Sequence, residues 1–322
     1  MKHLVITGFF IFFNIFSITA LDDNKLSFKI TPGFSIAHGS INEYVFNAYN
    51  YNIGNKESQL DWDIKAIPLL NLKADFDLVR FLHVDIQSAI GFPAQSGFMQ
   101  DYDWLSTLNP TELTNYSKHN NNLAQYISFT VAIGGNIKLP AKITITPMIS
   151  YYYEFIALDG KDGYKKYKQD NYAEIALYGK VISYKQEIND MLLGLVLQIE
   201  TIPRTFIYAD FFISPAMTHL NAIDFHYQKF ETYGLAYWDR FSNIWQLQSK
   251  IILQYKLNNH HSLGINGSLQ FIPLQKGITS TKAIDSDGKY FSGSWSQINP
   301  QASCGGTKRF IWTLGINYSF SL

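Results

Sequence analysis

Apolar and polar residues alternate most clearly near the C-terminus, where Phe310, Trp312, Leu314, Ile316, Tyr318 and Phe320 share one parity and Thr313, Gly315, Asn317 and Ser319 the other. A period of two sets one face of an extended strand in an apolar medium and the opposite face in a polar one. The pattern recurs in Leu263, Ile265, Gly267, Leu269 and Phe271, and again in Trp245, Leu247, Ser249, Ile251, Leu253, Tyr255 and Leu257. These runs predict strands of eleven to thirteen residues. Strands of a soluble sandwich also alternate but run to about five or six residues. Long strands with Gly, Ser, Gln and Lys on one side and large apolar or aromatic groups on the other fit an outer-membrane barrel, with lipid outside and a polar interior.

Turn signals divide the connections into two populations. Short ones are expected near Leu70 to Asn71, Leu139 to Lys142, Thr201 to Arg204 and Asn258 to His261, and long polar ones near Asn52 to Glu57, Gln100 to Asn122, Asp159 to Asn171, Asn221 to Asn243 and Leu274 to Lys308. Tight turns at one end alternating with long loops at the other are what such a barrel needs. Five outer loops and four inner turns make ten strands, so the expected fold is all-β, a ten-stranded antiparallel transmembrane β-barrel with both chain ends on the periplasmic side.

Composition narrows the partners. The 322 residues carry 26 Lys+Arg against 26 Asp+Glu, and 47% are hydrophobic while only 16% are charged. A nucleic-acid surface needs a basic excess, so nucleic acid is not an expected partner. Aromatic residues reach 16%, which favours extended structure with much apolar surface. At the N-terminus Met1-Lys2-His3 precedes an apolar run from Leu4 to Phe16 and then Ser17-Ile18-Thr19-Ala20. A short basic segment, an apolar core and a small residue describe a signal peptide, expected over 1-20 and followed by a single barrel domain over 21-322. Cys304 is the one cysteine; an exported chain with no disulfide must draw stability from another source, and closure of the sheet supplies it.

Two pairs of ionisable residues stand at the tops of predicted strands: Asp101 with Asp103, and Asp224 with His226. Residues two apart on an extended chain project to one face, so each pair can converge on one spot. An Asp beside a His orients the imidazole and stabilises its protonated form, which suits a general base. Two close carboxyls resist simultaneous ionisation, so one keeps a proton or grips a water. Spacing alone leaves open that both pairs are ordinary polar-loop residues.

Their surroundings resemble the omptin family of outer-membrane proteases. The matching residues are Ser58-Gln59-Leu60-Asp61-Trp62, then Asp101-Tyr102-Asp103-Trp104 followed by Asn109-Pro110, Thr114, Ser117 and His119, then Tyr184-Lys185-Gln186, Asp224 with His226-Tyr227, and the closing strand Phe310 to Phe320. The resemblance implies a barrel taller than the membrane with a proteolytic groove at its outer mouth. Asp224 and His226 match the dyad that activates water, and Asp101 and Asp103 match the pair that binds that water. Ser117 and His119 match positions once suspected of serine-type chemistry and are taken as secondary to the two pairs. Glu43 matches an acid that holds a basic substrate side chain, but its expected partner is Ala222, so a weaker preference for basic residues is expected. On the outer wall Tyr151 remains of a lipopolysaccharide site, while Tyr153, Phe155 and Glu187 replace its acid and both arginines, which puts a lipid requirement in doubt.

The resulting expectation is an aspartic-type endopeptidase facing outward from a bacterial outer membrane, acting on peptides or proteins as a monomer among outer-membrane lipid, without a metal or cofactor. The competing readings are a non-enzymatic adhesin on the same barrel and a passive porin. The basic loop Lys161, Lys165, Lys166 and Lys168 reads as a solvated face, and His260-His261 is too adjacent to chelate a metal.

Overall fold

The computed structural model describes residues 27–47, 55–79, 82–215, 217–227, 232–299 and 302–322; the expected signal peptide lies outside them. The staves are β1 (Ser27–Phe46), β2 (Lys56–Val79), β3 (Leu82–Gly91 continued by Ala94–Asp103), β4 (Asn115–Gly135), β5 (Ile143–Tyr167), β6 (Ile175–Ile202), β7 (Thr205–Ile213 continued by Thr218–His226), β8 (Gly234–Ile244 continued by Leu247–Lys256), β9 (His261–Ile284) and β10 (Gly305–Ser321). Each is antiparallel to its neighbours, and β10 pairs with β1 from Lys29↔Ser321 to Val45↔Gly305, closing the ring. Closure satisfies the edge amides that lipid cannot hydrogen-bond. The ten-stranded transmembrane barrel expected from the alternation is therefore the fold.

Strand length departs from the expectation. The staves run from 17 residues in β10 to 28 in β6, whereas crossing the bilayer takes about 9 to 11. Segments that read as long loops, such as Asp159 to Asn171 and most of Asn221 to Asn243, are strand for much of their length. Leu70-Asn71 is not a turn: Leu69 points inward and is buried, Leu70 is exposed on the outer face, and β2 continues to Val79.

The exposed apolar residues form a belt on the half nearer the chain ends, with Phe34, Ile36, Leu193, Leu195, Ile251, Leu253, Leu263, Ile265, Leu314 and Ile316 all facing outward. Leu314 and Ile316 are each 63% exposed, a cost in water that lipid removes. The turns of this half are tight. Pro140, Ala141 and Lys142 reverse the chain between the Ile137–Leu139 strand and β5, with Ala141 and Lys142 at positive φ, and Pro203-Arg204 joins β6 to β7.

The lumen is packed rather than open at mid-height. Ile41, Trp62, Met99, Leu158, Tyr184, Ile188 and Leu220 belong to one buried cluster, with Trp62 stacked on Tyr184 at 5.5 Å between centroids. Buried among them, Arg309 pairs with Glu154 and donates to Gln186 Oε1 at 2.9 Å. This layer is the floor of the outer mouth. Nearer the periplasm Lys73 lies between Asp75 and Asp85 at 3.0 and 2.7 Å, beside a cavity of about 200 Å³.

Candidate active site at the outer mouth

Above that floor, the ladder register gathers the sequence-predicted residues from four parts of the ring. Glu43 on β1 and Asp101 on β3 both lie across from Leu60 of β2. Asp101 in turn lies across from Ser117 of β4. On the far side, Asp224 and His226 end β7, opposite Tyr184 and Ile182 of β6. The i, i+2 spacing has the consequence expected of it: His226 Nε2 lies 2.5 Å from Asp224 Oδ2. Asp224 is buried, so the imidazole is held by a carboxylate shielded from water, which strengthens the bond. The Tyr237 ring meets the imidazole edge-on at 5.4 Å.

Glu43 joins the two halves. It is buried, and burial pushes its carboxyl well above the usual carboxylate range, followed by repulsion from Asp224, Asp239 and Asp101. Its carboxyl thus feels acids on both sides of the mouth. Glu43 Oε2 and Asp224 Oδ1 are buried and have no donor. Asp103 stands further out, where Asn115 Nδ2 donates to its Oδ2 at 3.3 Å.

Ser117 and His119 form a second buried pair. His119 Nδ1 donates to the Asp162 carbonyl at 2.6 Å, and Nε2 lies 2.9 Å from Ser117 Oγ. Burial, with the charge of nearby His226, lowers the pKa of His119. The imidazole is thus neutral at pH 7, with Nε2 the acceptor of the Ser117 hydroxyl.

Sequence reasoning missed Asp239. It is buried on β8, directly across the ladder from Ala222, and Thr279 Oγ1 donates to its Oδ1 at 2.5 Å. Burial is the main reason its carboxyl is pushed up to about 8, with Asp224 adding to the effect. An acid at the inward parity of Leu235, Tyr237, Asp239 and Phe241 was the available signal.

Comparison with known proteins gives the family and the fold. The Omptin family model matches residues 24–320. The chain belongs to that family. It is 32% identical over 93 residues to the plasminogen activator of Yersinia pestis, a match spanning 29% of this chain and 28% of that protein. Its fold is similar to the outer membrane protease OmpT of Escherichia coli at a TM-score of 0.81 and 16% identity, covering 95% of this chain and 99% of the other. Family and barrel together place this omptin in the outer membrane.

Elsewhere Asp75, His83 and Asp85 cluster inside the barrel, but Lys29 and Lys73 already supply cations to the carboxylates. Three lysines of the basic loop are paired, Lys161 with Asp159 at 3.8 Å, Lys166 with Glu174 at 3.1 Å and Lys168 with Glu112 at 2.6 Å. His260 Nδ1 bonds the Ser321 carbonyl at 2.9 Å.

Proposed function

We propose that this omptin is an endopeptidase that hydrolyses peptides or proteins outside the cell with a water activated by His226. The observation that carries the reading is the bond between His226 and buried Asp224, set in the same mouth as Asp101. His226 takes the proton of a water held between the imidazole and the Asp101/Asp103 pair. The hydroxide attacks the amide carbonyl of a strand of substrate lying across the mouth. Asp224 offsets the positive charge that His226 gains, as a buried carboxylate does beside an imidazolium. The tetrahedral intermediate collapses when His226 returns that proton to the leaving amine. The two relatives, an outer membrane protease and a plasminogen activator, support the same class of reaction.

The deciding experiment is His226→Ala in the refolded full chain, assayed on a fluorogenic peptide library. Loss of cleavage with an unchanged heat-modifiable barrel on gels is the expected result. Cleavage at the wild-type rate would reject the assignment. Binding to host matrix that survives both His226→Ala and Asp224→Asn, in a protein that cuts no peptide, would favour the adhesin instead.

A further inference from the structure

The residues on either side of His226 in the chain do not share its face. Asp224 and His226 point into the lumen, so by the alternation of an extended strand Phe225 and Tyr227 point out of the barrel. The outer end of β7 stands above the apolar belt, where an outward ring would ordinarily meet water. Phe225 is instead only 6% exposed and belongs to a buried cluster with Ala236 of β8 and Ile284 of β9.

What covers it is the return limb of the β9–β10 connection. After Ile284 the chain turns, with Gly288 N donating to the Asp285 carbonyl at 3.0 Å, and comes back beside β9. Tyr290 bridges to Ile284, and Ser296 and Gln297 pair with Thr281 and Ser280. Lys282 Nζ donates to the Gly293 carbonyl at 2.6 Å and ties the limb down further. The limb sets the Tyr290 ring 6.0 Å from that of Phe225. Trp295 backs it, 5.3 Å from Tyr290 and 5.5 Å from Trp238 of β8. Gly288, at a φ of 80°, brings the turn so close to Tyr227 that a Cβ there would lie 2.8 Å from the ring. On its other side the Tyr227 hydroxyl lies 2.9 Å from Ser183 Oγ of β6.

His226 is the last residue of β7. Element ends open more readily than their middles, and a misplacement of about 1 Å can cost about 10²-fold in rate. The bond from His226 to Asp224 aims the imidazole only if the backbone carrying both is itself fixed. We propose that Tyr290 and Trp295 are positioning residues of the dyad: the limb that bears them straps the outer face of β7 and holds the backbone of Asp224 and His226 in place. Both rings lie on the outer face, so they act through Phe225 rather than on substrate. This assignment rests on the peptidase reading of the mouth.

The test compares Tyr290→Ala combined with Trp295→Ala against Tyr290→Phe combined with Trp295→Phe, in refolded full-length protein on one fluorogenic peptide. The alanine pair should lower kcat by about tenfold or more while KM stays within about threefold. The phenylalanine pair keeps a ring at both places and should recover most of the loss. Phe291→Ala, a change at a 45% exposed position of the same limb, should leave kcat unaltered. Leucine at both positions is the second variant if the alanine protein does not refold. An unchanged kcat, or a loss that the phenylalanine pair does not recover, overturns the assignment.

Amide hydrogen exchange separates this failure from failure of the catalytic reading. In the alanine pair the amides of Phe225, His226 and Tyr227 should exchange about tenfold faster or more, while those of the lower half of β7, Thr205–Ile213, keep their wild-type rates. Unchanged exchange at the tip counts against the strap whatever the protein cleaves. Full hydrolysis by His226→Ala would instead sink the dyad and leave the exchange result standing.

Discussion

Glu43 and Asp224 sit on strands nearly opposite in the ring, yet the charge of Asp224 is felt at the buried Glu43 carboxyl. Two buried ionised carboxylates repel one another, so the arrangement is favourable only while one keeps its proton. Burial makes Glu43 the one that keeps it. Burial and these neighbouring charges therefore favour the protonated form of Glu43 where a surface glutamate would be charged.

That proton makes barrel stability depend on pH. An acid whose folded pKa is raised contributes its full stability below the unfolded pKa and loses it as pH rises toward the folded one. For Asp239 the window runs from its ordinary 3.8 to about 8, and Glu43 shifts in the same direction. The urea midpoint of the refolded barrel should fall between pH 4 and pH 8. Glu43→Gln combined with Asp239→Asn should flatten that fall by at least about 1.4 kcal/mol, the equivalent of one pH unit. Gel band shift of unheated samples reads the folded fraction, and parallel curves for the two proteins would contradict the assignment of both protons.

Much of the fold was legible because lipid imposes alternation. Leu314 and Ile316 face the bilayer while Thr313 and Asn317 face the lumen, and the sequence carries that period plainly. Above the membrane both faces of a strand meet water, so the upper parts of β5 and β6 lose the contrast and read as loops. Leu69 and Leu70 broke the period in the other direction, one filling the lumen and one facing lipid. The pairing of Asp224 with His226 was legible from spacing, while their candidacy as site residues, like that of Glu43, came only through resemblance. Asp239 went unread because its relation to Ala222 is a ladder contact between strands, and Trp238-Asp239-Arg240 resembles an ordinary solvated stretch.

The short bond from Asp224 to His226 yields a sharper prediction than loss of the histidine. Asp224→Asn keeps the shape but turns the acceptor into an amide, which no longer stabilises an imidazolium. We expect kcat/KM to fall by about 10²- to 10⁴-fold, with the heat-modifiable band unchanged. A drop of less than about threefold would mean the bond positions nothing in the reaction.

Ser117 and His119 have the geometry of a nucleophile and its base, so the choice between serine and water chemistry needs its own measurement. Both are buried, and His119 is committed through Nδ1 to the Asp162 carbonyl. Ser117→Ala should lower kcat/KM by no more than about tenfold, far less than the loss when an attacking nucleophile is removed. A fluorophosphonate should leave no covalent adduct by mass spectrometry. Labelling of Ser117 with loss of activity would move the chemistry to that pair.

The floor of the mouth should be costly to open from one side. Arg309 and Glu154 are each 1% exposed, and Tyr126 and Tyr152 also donate to the glutamate. Arg309→Met leaves a buried carboxylate without its cation and should destabilise the barrel by about 3–5 kcal/mol. Adding Glu154→Gln should recover part of that loss, because the orphaned charge is gone. A urea double-mutant cycle measures the coupling, and strict additivity would show that the two side chains do not act as a pair.

The outer wall bears on whether lipid is needed. Tyr151 donates to Asn189 Oδ1 at 2.9 Å, and Asn189 Nδ2 to Glu187 Oε1 at 3.0 Å, while Phe155 lies across the ladder from Glu187. Lys185, a cation of this face, lies over the Phe225 ring at 5.1 Å. A glutamate held among neutral donors repels lipid A phosphates, which arginine would have gripped by paired hydrogen bonds. Cleavage by detergent-refolded protein should change by less than about threefold when lipopolysaccharide is added. Replacing Phe155 and Glu187 by Arg should create a lipid response. Strong activation of the unmodified protein would place a phosphate site on another part of the wall.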